Sequence, residues 1–344
     1  MYKSFYKLSK NPFQQNADPA FFFDSASHKR AKAYLRYGLA HGEGFVVVTG
    51  APGTGKTMLV KELAQFLKKD NVVCIGSLVT SNVGAEDTLR MLAATFGVFY
   101  ELDDSKAALL NRIETFFKDK AKQGKRVLLI VDEAQNLPRQ SIEELRMLSN
   151  FEWEGKIIFQ TFLMGQEELG QTLFSPDMEQ VRQRVVATYQ LKSLTEQETK
   201  DYILFRMEKA GWSGGDLFSD DIFPLIYKFT CGVPRRINSL CDRLLLFGFL
   251  EELKEIGAQA VKKVISEIKN DYKSMAKTSK KENIAGVPET QSVAVSVENP
   301  DLARKVELLE QRVQELSDKL TKEQALLRKA ILIQLDMGDV YSDD

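Results

Sequence analysis

Apolar positions along the chain fall into two kinds of pattern, and the change from one to the other divides it. In the first part, short unbroken apolar runs alternate with segments of helical period. The strands they predict are Phe45-Val46-Val47-Val48-Thr49, Asn71 to Ile75, Arg126 to Glu133, Lys156 to Met164 and Val185 to Leu191. Five consecutive apolar residues, Val127 to Val131, predict a strand covered on both faces, as in a parallel sheet. The helical segments between them are predicted over 28–40, from Leu59 to Leu67, over 85–96 and 105–123, and from Arg139 to Asn150. From Ser193 onward only the helical period remains, over 195–210, 219–230, 235–252 and 258–273. Thr195 with Glu198 forms a capping box at the first start, and Ser219 marks the second.

The expected organisation follows from these patterns. Residues 1–192 form an α/β nucleotide-binding domain, with the aromatic segment before residue 28 packed along it and available for an adenine pocket. Residues 193–273 form a small all-helical lid, and 274–300, rich in Lys, Ser, Thr, Val and Pro, a flexible linker. In 301–335, Leu302, Val306, Leu309, Val313, Leu316 and Leu320 step by four and three, predicting a heptad helix that pairs with itself or a partner, or docks back on the body. Residues 336–344 are an acidic tail.

The chemistry centres on Gly50-Ala51-Pro52-Gly53-Thr54-Gly55-Lys56-Thr57, a match to GxxxxGK[ST] with a strand before it and a helix after. Glycines at 50, 53 and 55 permit positive φ and close backbone approach. Successive N–H groups, through Met58 in the first helical turn, can then converge on phosphate oxygens. Lys56 is expected on the β- and γ-phosphates and Thr57 on Mg2+. Asp132 and Glu133 follow the third apolar run, at the sheet edge that also carries the glycine loop. Asp132 is expected in the magnesium shell, and Glu133 to orient and polarise the attacking water. Gln166, at the end of the fourth run, either holds that water and senses the γ-phosphate or is a turn amide. Arg182 and Arg184, before the last run, are solvated helix-end charges or an arginine finger offered to a neighbouring subunit. Arg235 follows Pro234 at a helix start, where a cation gains nothing from the helix dipole, which points to a phosphate partner.

Composition narrows the setting. Among 344 residues, 47 basic and 48 acidic side chains give no global attraction to nucleic acid or an anionic membrane. Cys74, Cys231 and Cys241 show no metal-ligand spacing and are expected as buried thiols in a reducing cytoplasm. The start MYKSFYKLSK lacks the apolar core of a signal peptide, and no apolar run is long enough to span a bilayer. The expected location is cytoplasmic, or peripheral at the inner membrane through partners.

Taken in order, GAPGTGKT, VLLIVDEAQNL, LMGQEEL, MEQVRQRV and GVPRRINSLCDRLLL resemble the AAA+ ATPases of the ExeA/GspA secretion type. FYKLSKNPF, DPAFFF and YLRYGLAHGEGF are most similar to the ATPase associated with exosortase (XrtA, PEP-CTERM) and exopolysaccharide loci. The resemblance covers residues 1–270 and implies a P-loop NTPase AAA+ core with a five-stranded parallel sheet. It also implies Asp132 and Glu133 as Walker B, Gln166 as sensor 1, a finger at Arg182 or Arg184, Arg235 as sensor 2, and ATP with Mg2+ as the ligands. The expected partners are further copies of the chain, in a hexameric ring or a filament, and components of envelope or export machinery. Two other functions stay open: a DNA-dependent ATPase like the transposition regulators, disfavoured by the charge balance, and a nucleotide-gated scaffold with little turnover.

Overall fold

The computed structural model describes residues 2–16, 18–70, 72–79, 84–215 and 217–282, within two compact units, Met1–Thr278 and Ser279–Asp344. The chain opens with the short helix α1 (Tyr2–Phe5), then α2 (Ala26–His41), β1 (Phe45–Gly50), α3 (Lys56–Asp70), β2 (Val73–Val79), α4 (Ala85–Phe96) and α5 (Lys106–Lys122). β3 (Arg126–Asp132), α6 (Arg139–Leu148), β4 (Glu152–Trp153), β5 (Lys156–Ile157), β6 (Phe159–Gly165), α7 (Glu167–Leu173), α8 (Glu179–Arg182) and β7 (Val185–Leu191) complete the α/β part. α9 (Glu196–Lys209), α10 (Ile222–Thr230), α11 (Pro234–Leu250) and α12 (Ala258–Glu282) follow.

The five long strands form one parallel sheet in the order β2-β3-β6-β1-β7. Its unbroken apolar runs are explained by the two cores it separates. Val47, Leu129 and Leu163 face one, with Leu92, Ile113 and Phe117 of the helices; Val46, Val48, Ile130 and Phe162 face the other, with Leu35, Leu59 and Leu63. Each fully buried side chain of this size contributes about 1.5–3 kcal/mol of hydrophobic stabilisation. The order also fixes the site, because β6 lies between β1 and β3. The end of β6 therefore stands between the loop after β1 and the acidic pair after β3.

Several expectations change. The run 156–164 is two elements: Glu154 and Gly155 both take positive φ and close a two-residue hairpin between β4 and β5, before β6 begins at Phe159. The second apolar run becomes a strand only from Val73, and α10 begins at Ile222, with the Ser219 hydroxyl bonded to Asp221 ahead of it. The aromatic N-terminal segment touches the nucleotide domain only in part, through Phe22 on His28 and under Lys32 of α2, and buries its other large side chains elsewhere. Leu8, Phe13 and Phe21 are buried in the helical cluster with Tyr202, Ile203, Leu240 and Leu244, because the segment must cover the open side of a small bundle. The buried Arg206 holds it there, donating to the Pro12 carbonyl (2.5 Å) and the Gln14 carbonyl (3.2 Å) while lying over the Phe21 ring. Of the cysteines only Cys241 is buried; Cys231 is exposed as the left-handed C-cap of α10. α12 continues helical to Glu282, past the start expected for the linker. The rest of that linker, the heptad segment and the acidic tail lie outside the described residues.

Candidate functional site

The glycine loop is shaped by neighbours as much as by its own glycines. Gly53 (φ 82°) and Gly55 (φ 104°) hold left-handed backbone. Gly50 does not; it ends β1, where a Cβ would come 2.8 Å from the Leu191 carbonyl oxygen. At Gly53 a Cβ would meet Arg235 Cβ at 2.7 Å, and the Arg235 N–H donates to the Gly53 carbonyl at 3.2 Å. The lid thus touches the loop directly. Thr54 closes the turn, its hydroxyl donating to the Ala51 carbonyl at 2.8 Å. α3 begins at Lys56, and the first intrahelical bond at its start runs from the Leu59 N–H to the Gly55 carbonyl at 3.0 Å. The N–H groups of Lys56, Thr57 and Met58 are those a helix start leaves for an anion.

Lys56 is buried, with Nζ donating to the Gly50 carbonyl at 2.8 Å and the Ala51 carbonyl at 3.1 Å. Two of its three donors are so used. Burial lowers its pKa, opposed by Glu133, Asp132 and Glu168. The Thr57 hydroxyl donates to Asp132 Oδ2 at 2.7 Å. A hydroxyl and a carboxylate side by side at the loop are a hard-oxygen pair suited to Mg2+, which keeps most of its shell in water and phosphate oxygens. Among the described residues no group of three or more His, Cys, Asp or Glu could hold a metal ion without such help. Thr57 and Asp132 therefore fit a magnesium ion that arrives with a nucleotide.

Glu133 follows β3 in left-handed backbone (φ 54°), and its N–H donates to Asp132 Oδ1 at 3.0 Å. The turn sends the two carboxylates to different tasks: Asp132 toward Thr57, Glu133 toward β6. There Glu133 Oε2 receives Gln135 Nε2 at 2.6 Å and Gln166 Nε2 at 3.4 Å, while the Gln166 N–H donates to Gln135 Oε1 at 2.9 Å.

A cavity of about 480 Å³ joins the loop and Glu133 to the lid, with Asp132, Gln135 and Gln166 not among the residues lining it. Gly53, Gly55, Lys56, Thr57, Met58 and Glu133 line one side; Tyr202, Arg206, Arg235 and Asn238 of the lid, with Gln15 and Asn16, line the other. Its size lies within the range of small-molecule sites. The N-terminal segment thus contributes to the cavity through two amides, not through its phenylalanines. Arg182 and Arg184 are not among the residues lining it. Arg184 donates to Asn150 Oδ1 at 2.6 Å; Arg182 is held loosely, 3.5 Å from the Phe174 carbonyl and 3.8 Å from Glu179.

Sequence reasoning passed over two close neighbours of the loop and the acidic pair. Gln135 was legible only as the fourth letter of Asp-Glu-Ala-Gln. His28, one of two histidines in the chain, is buried against the loop, its Nε2 2.8 Å from where a Gly55 Cβ would stand. Its Nδ1 meets the Ser25 hydroxyl at 2.7 Å. Burial lowers its pKa to about 4, opposed in part by Asp24, Glu198 and a hydrogen bond to the Thr54 main chain.

Residues 39–173 match the family described as AAA domain. Over 249 residues the chain is 34% identical to general secretion pathway protein A of Aeromonas hydrophila, a match covering 72% of this chain and 45% of that protein. The chain thus spans less than half the length of this relative. The ORC2 protein of Aeropyrum pernix, in ADPNP-ADP complexes, superposes with a TM-score of 0.56 at 15% identity, over 75% of this chain and 72% of that one. Cdc6p from Pyrobaculum aerophilum superposes with a TM-score of 0.58 at 16% identity, over 74% and 70%. At these identities the structures speak to fold alone, and the fold is a P-loop AAA core with a parallel five-stranded sheet.

Proposed function

We propose that the chain binds ATP between its glycine loop and helical lid and hydrolyses it with Mg2+, as an oligomerising AAA+ ATPase serving an export system. The observation that carries this reading is the cavity that Lys56, Thr57 and Glu133 share with Arg235 of the lid, with Asp132 bonded to Thr57 and Gln166 to Glu133 behind it.

The chemistry follows from that placement. Lys56, the first N–H groups of α3 and Arg235 bind the phosphate oxygens and offset their charge. Magnesium, held through Thr57 and Asp132, supplies further charge neutralisation when bound. Glu133 orients a water and takes its proton as the water oxygen bonds the γ-phosphorus and the bond to the β-phosphate oxygen breaks. Gln166 donates to the same water or to the γ-phosphate. Arg182 or Arg184 reaches the γ-phosphate of a neighbouring subunit.

The 34% identity to a general secretion pathway protein supports an export role. Within that role the proposed task is to energise or regulate an envelope, exopolysaccharide or exosortase-linked sorting system. Among the described residues no helix is long and apolar enough to cross a membrane. The proposed contact with such machinery is through protein partners. The test is phosphate release from ATP and Mg2+ by the full chain, with and without duplex DNA. Release without DNA supports the reading. Release that requires DNA and falls steeply with salt replaces it with a DNA-dependent ATPase.

A further inference from the structure

Gln135 stands two residues after Glu133 in the turn Ala134–Asn136, where no phosphate or metal chemistry calls for an amide. Both ends of that amide are nevertheless engaged. Its oxygen accepts the Gln166 main-chain N–H at 2.9 Å and its nitrogen donates to Glu133 Oε2 at 2.6 Å. The two bonds fix the amide's direction, since a flipped amide would face N–H to N–H and carbonyl to carboxylate. Gly165 makes room for it: a Cβ there would lie 2.9 Å from Gln135 Oε1 and 2.8 Å from Leu169 Cδ2. Gly165 is buried at the end of β6 and has no positive φ to satisfy, so the amide and Leu169 account for its small size.

We propose that Gln135 is a positioning residue that sets the Glu133 carboxylate by bracing it against the end of β6. The proposal rests on the ATPase reading above. Glu133 sits on a left-handed turn with its own side-chain torsions to settle, and a brace from β6 removes that freedom. Because Gln166 directly follows β6, the brace places the glutamate and this amide in one frame. Any shift of the β6 end on nucleotide binding reaches Glu133 through the short Gln135 bond as well as the longer one from Gln166.

The experiment measures ATP affinity and single-site turnover of the full chain for Gln135→Leu and Gly165→Ala, each alone and combined with Glu133→Gln. The expected result is a fall in kcat of about 10- to 100-fold, the scale of a ~1 Å misplacement. ATP affinity changes less than about threefold, which also shows that the variants fold. In the Glu133→Gln background neither substitution lowers the residual rate further. Gln135→Leu with wild-type kcat, or an equal loss in both backgrounds, overturns the proposal while leaving the ATPase reading intact. A wild-type chain that binds ATP without Glu133-dependent turnover overturns both.

Discussion

At the scale of single residues, the proposed site depends both on groups that would touch the nucleotide and on groups that only shape the loop. On the proposed reading, replacing Lys56 with Ala removes a charge-assisted phosphate contact of about 1.5–3 kcal/mol, so ATP affinity should fall by about 10- to 150-fold in equilibrium binding. His28 shows the other kind of dependence. Its ring is neutral in the folded chain down to about pH 4, whereas in the unfolded chain it takes a proton near pH 6.5. Between those values the unfolded state holds more protons, so stability present above pH 6.5 is lost as pH falls to 4, on the order of 3 kcal/mol. Thermal unfolding across that window should show the loss in wild type and a flatter response in His28→Gln. An equally steep loss in the variant would remove His28 from the account. The phosphate loop and acidic pair were legible because their spacing encodes the chemistry. His28 and Gln135 were not, since nothing in their local sequence tells that a distant strand or loop comes to meet them.

Between elements, the critical joint is where the core hands over to the lid. Gly232, in the turn before α11, takes φ 67°, and a Cβ there would lie 1.9 Å from the Leu194 carbonyl oxygen. The Leu194 N–H in turn donates to the Gly232 carbonyl at 2.9 Å. That close pairing holds the start of α11, and with it Arg235, against Gly53. Gly232→Ala should therefore destabilise the fold by about 2–3 kcal/mol and weaken ATP binding with it, measurable by denaturant unfolding and nucleotide titration. Thr195 makes a gentler test. Its capping box forms as the spacing predicts, and Glu198 also accepts the Ala26 N–H at 2.8 Å, tying α9 to α2. Burial alone would raise the Glu198 pKa; hydrogen bonds from the Thr195 and Ala26 main-chain N–H groups hold it below the usual value. Thr195→Ala should cost about 1 kcal/mol, read as a lowered midpoint of unfolding. Strands and helices were readable from period and run length. The hairpin at Glu154-Gly155 and the placement of the N-terminal segment were not. The first rests on a two-residue turn inside an apolar stretch, and the second on a bundle too small to close its own core.

For the whole molecule, hydrolysis is expected to depend on assembly. The phosphate side of the site is built within one chain, but the arginines before β7 are not among the residues lining its cavity. Arg184 is fastened to Asn150 and Arg182 is held weakly, so Arg182 is the better placed to reach across to another copy. Arg182→Ala should lower turnover by about 10³ to 10⁵, and Arg184→Ala by much less; full activity of both at assembling concentrations contradicts a finger in trans. On the proposed reading, this cavity hydrolyses ATP through Glu133 in an assembled state. The most direct test is phosphate release per chain as a function of protein concentration, for wild type and Glu133→Gln, with ATP binding measured alongside. The specific rate of wild type should rise with concentration and then level, while Glu133→Gln binds ATP and releases about 10²- to 10⁴-fold less phosphate. Equal rates for the two proteins, or a specific rate that does not change with concentration, would contradict it.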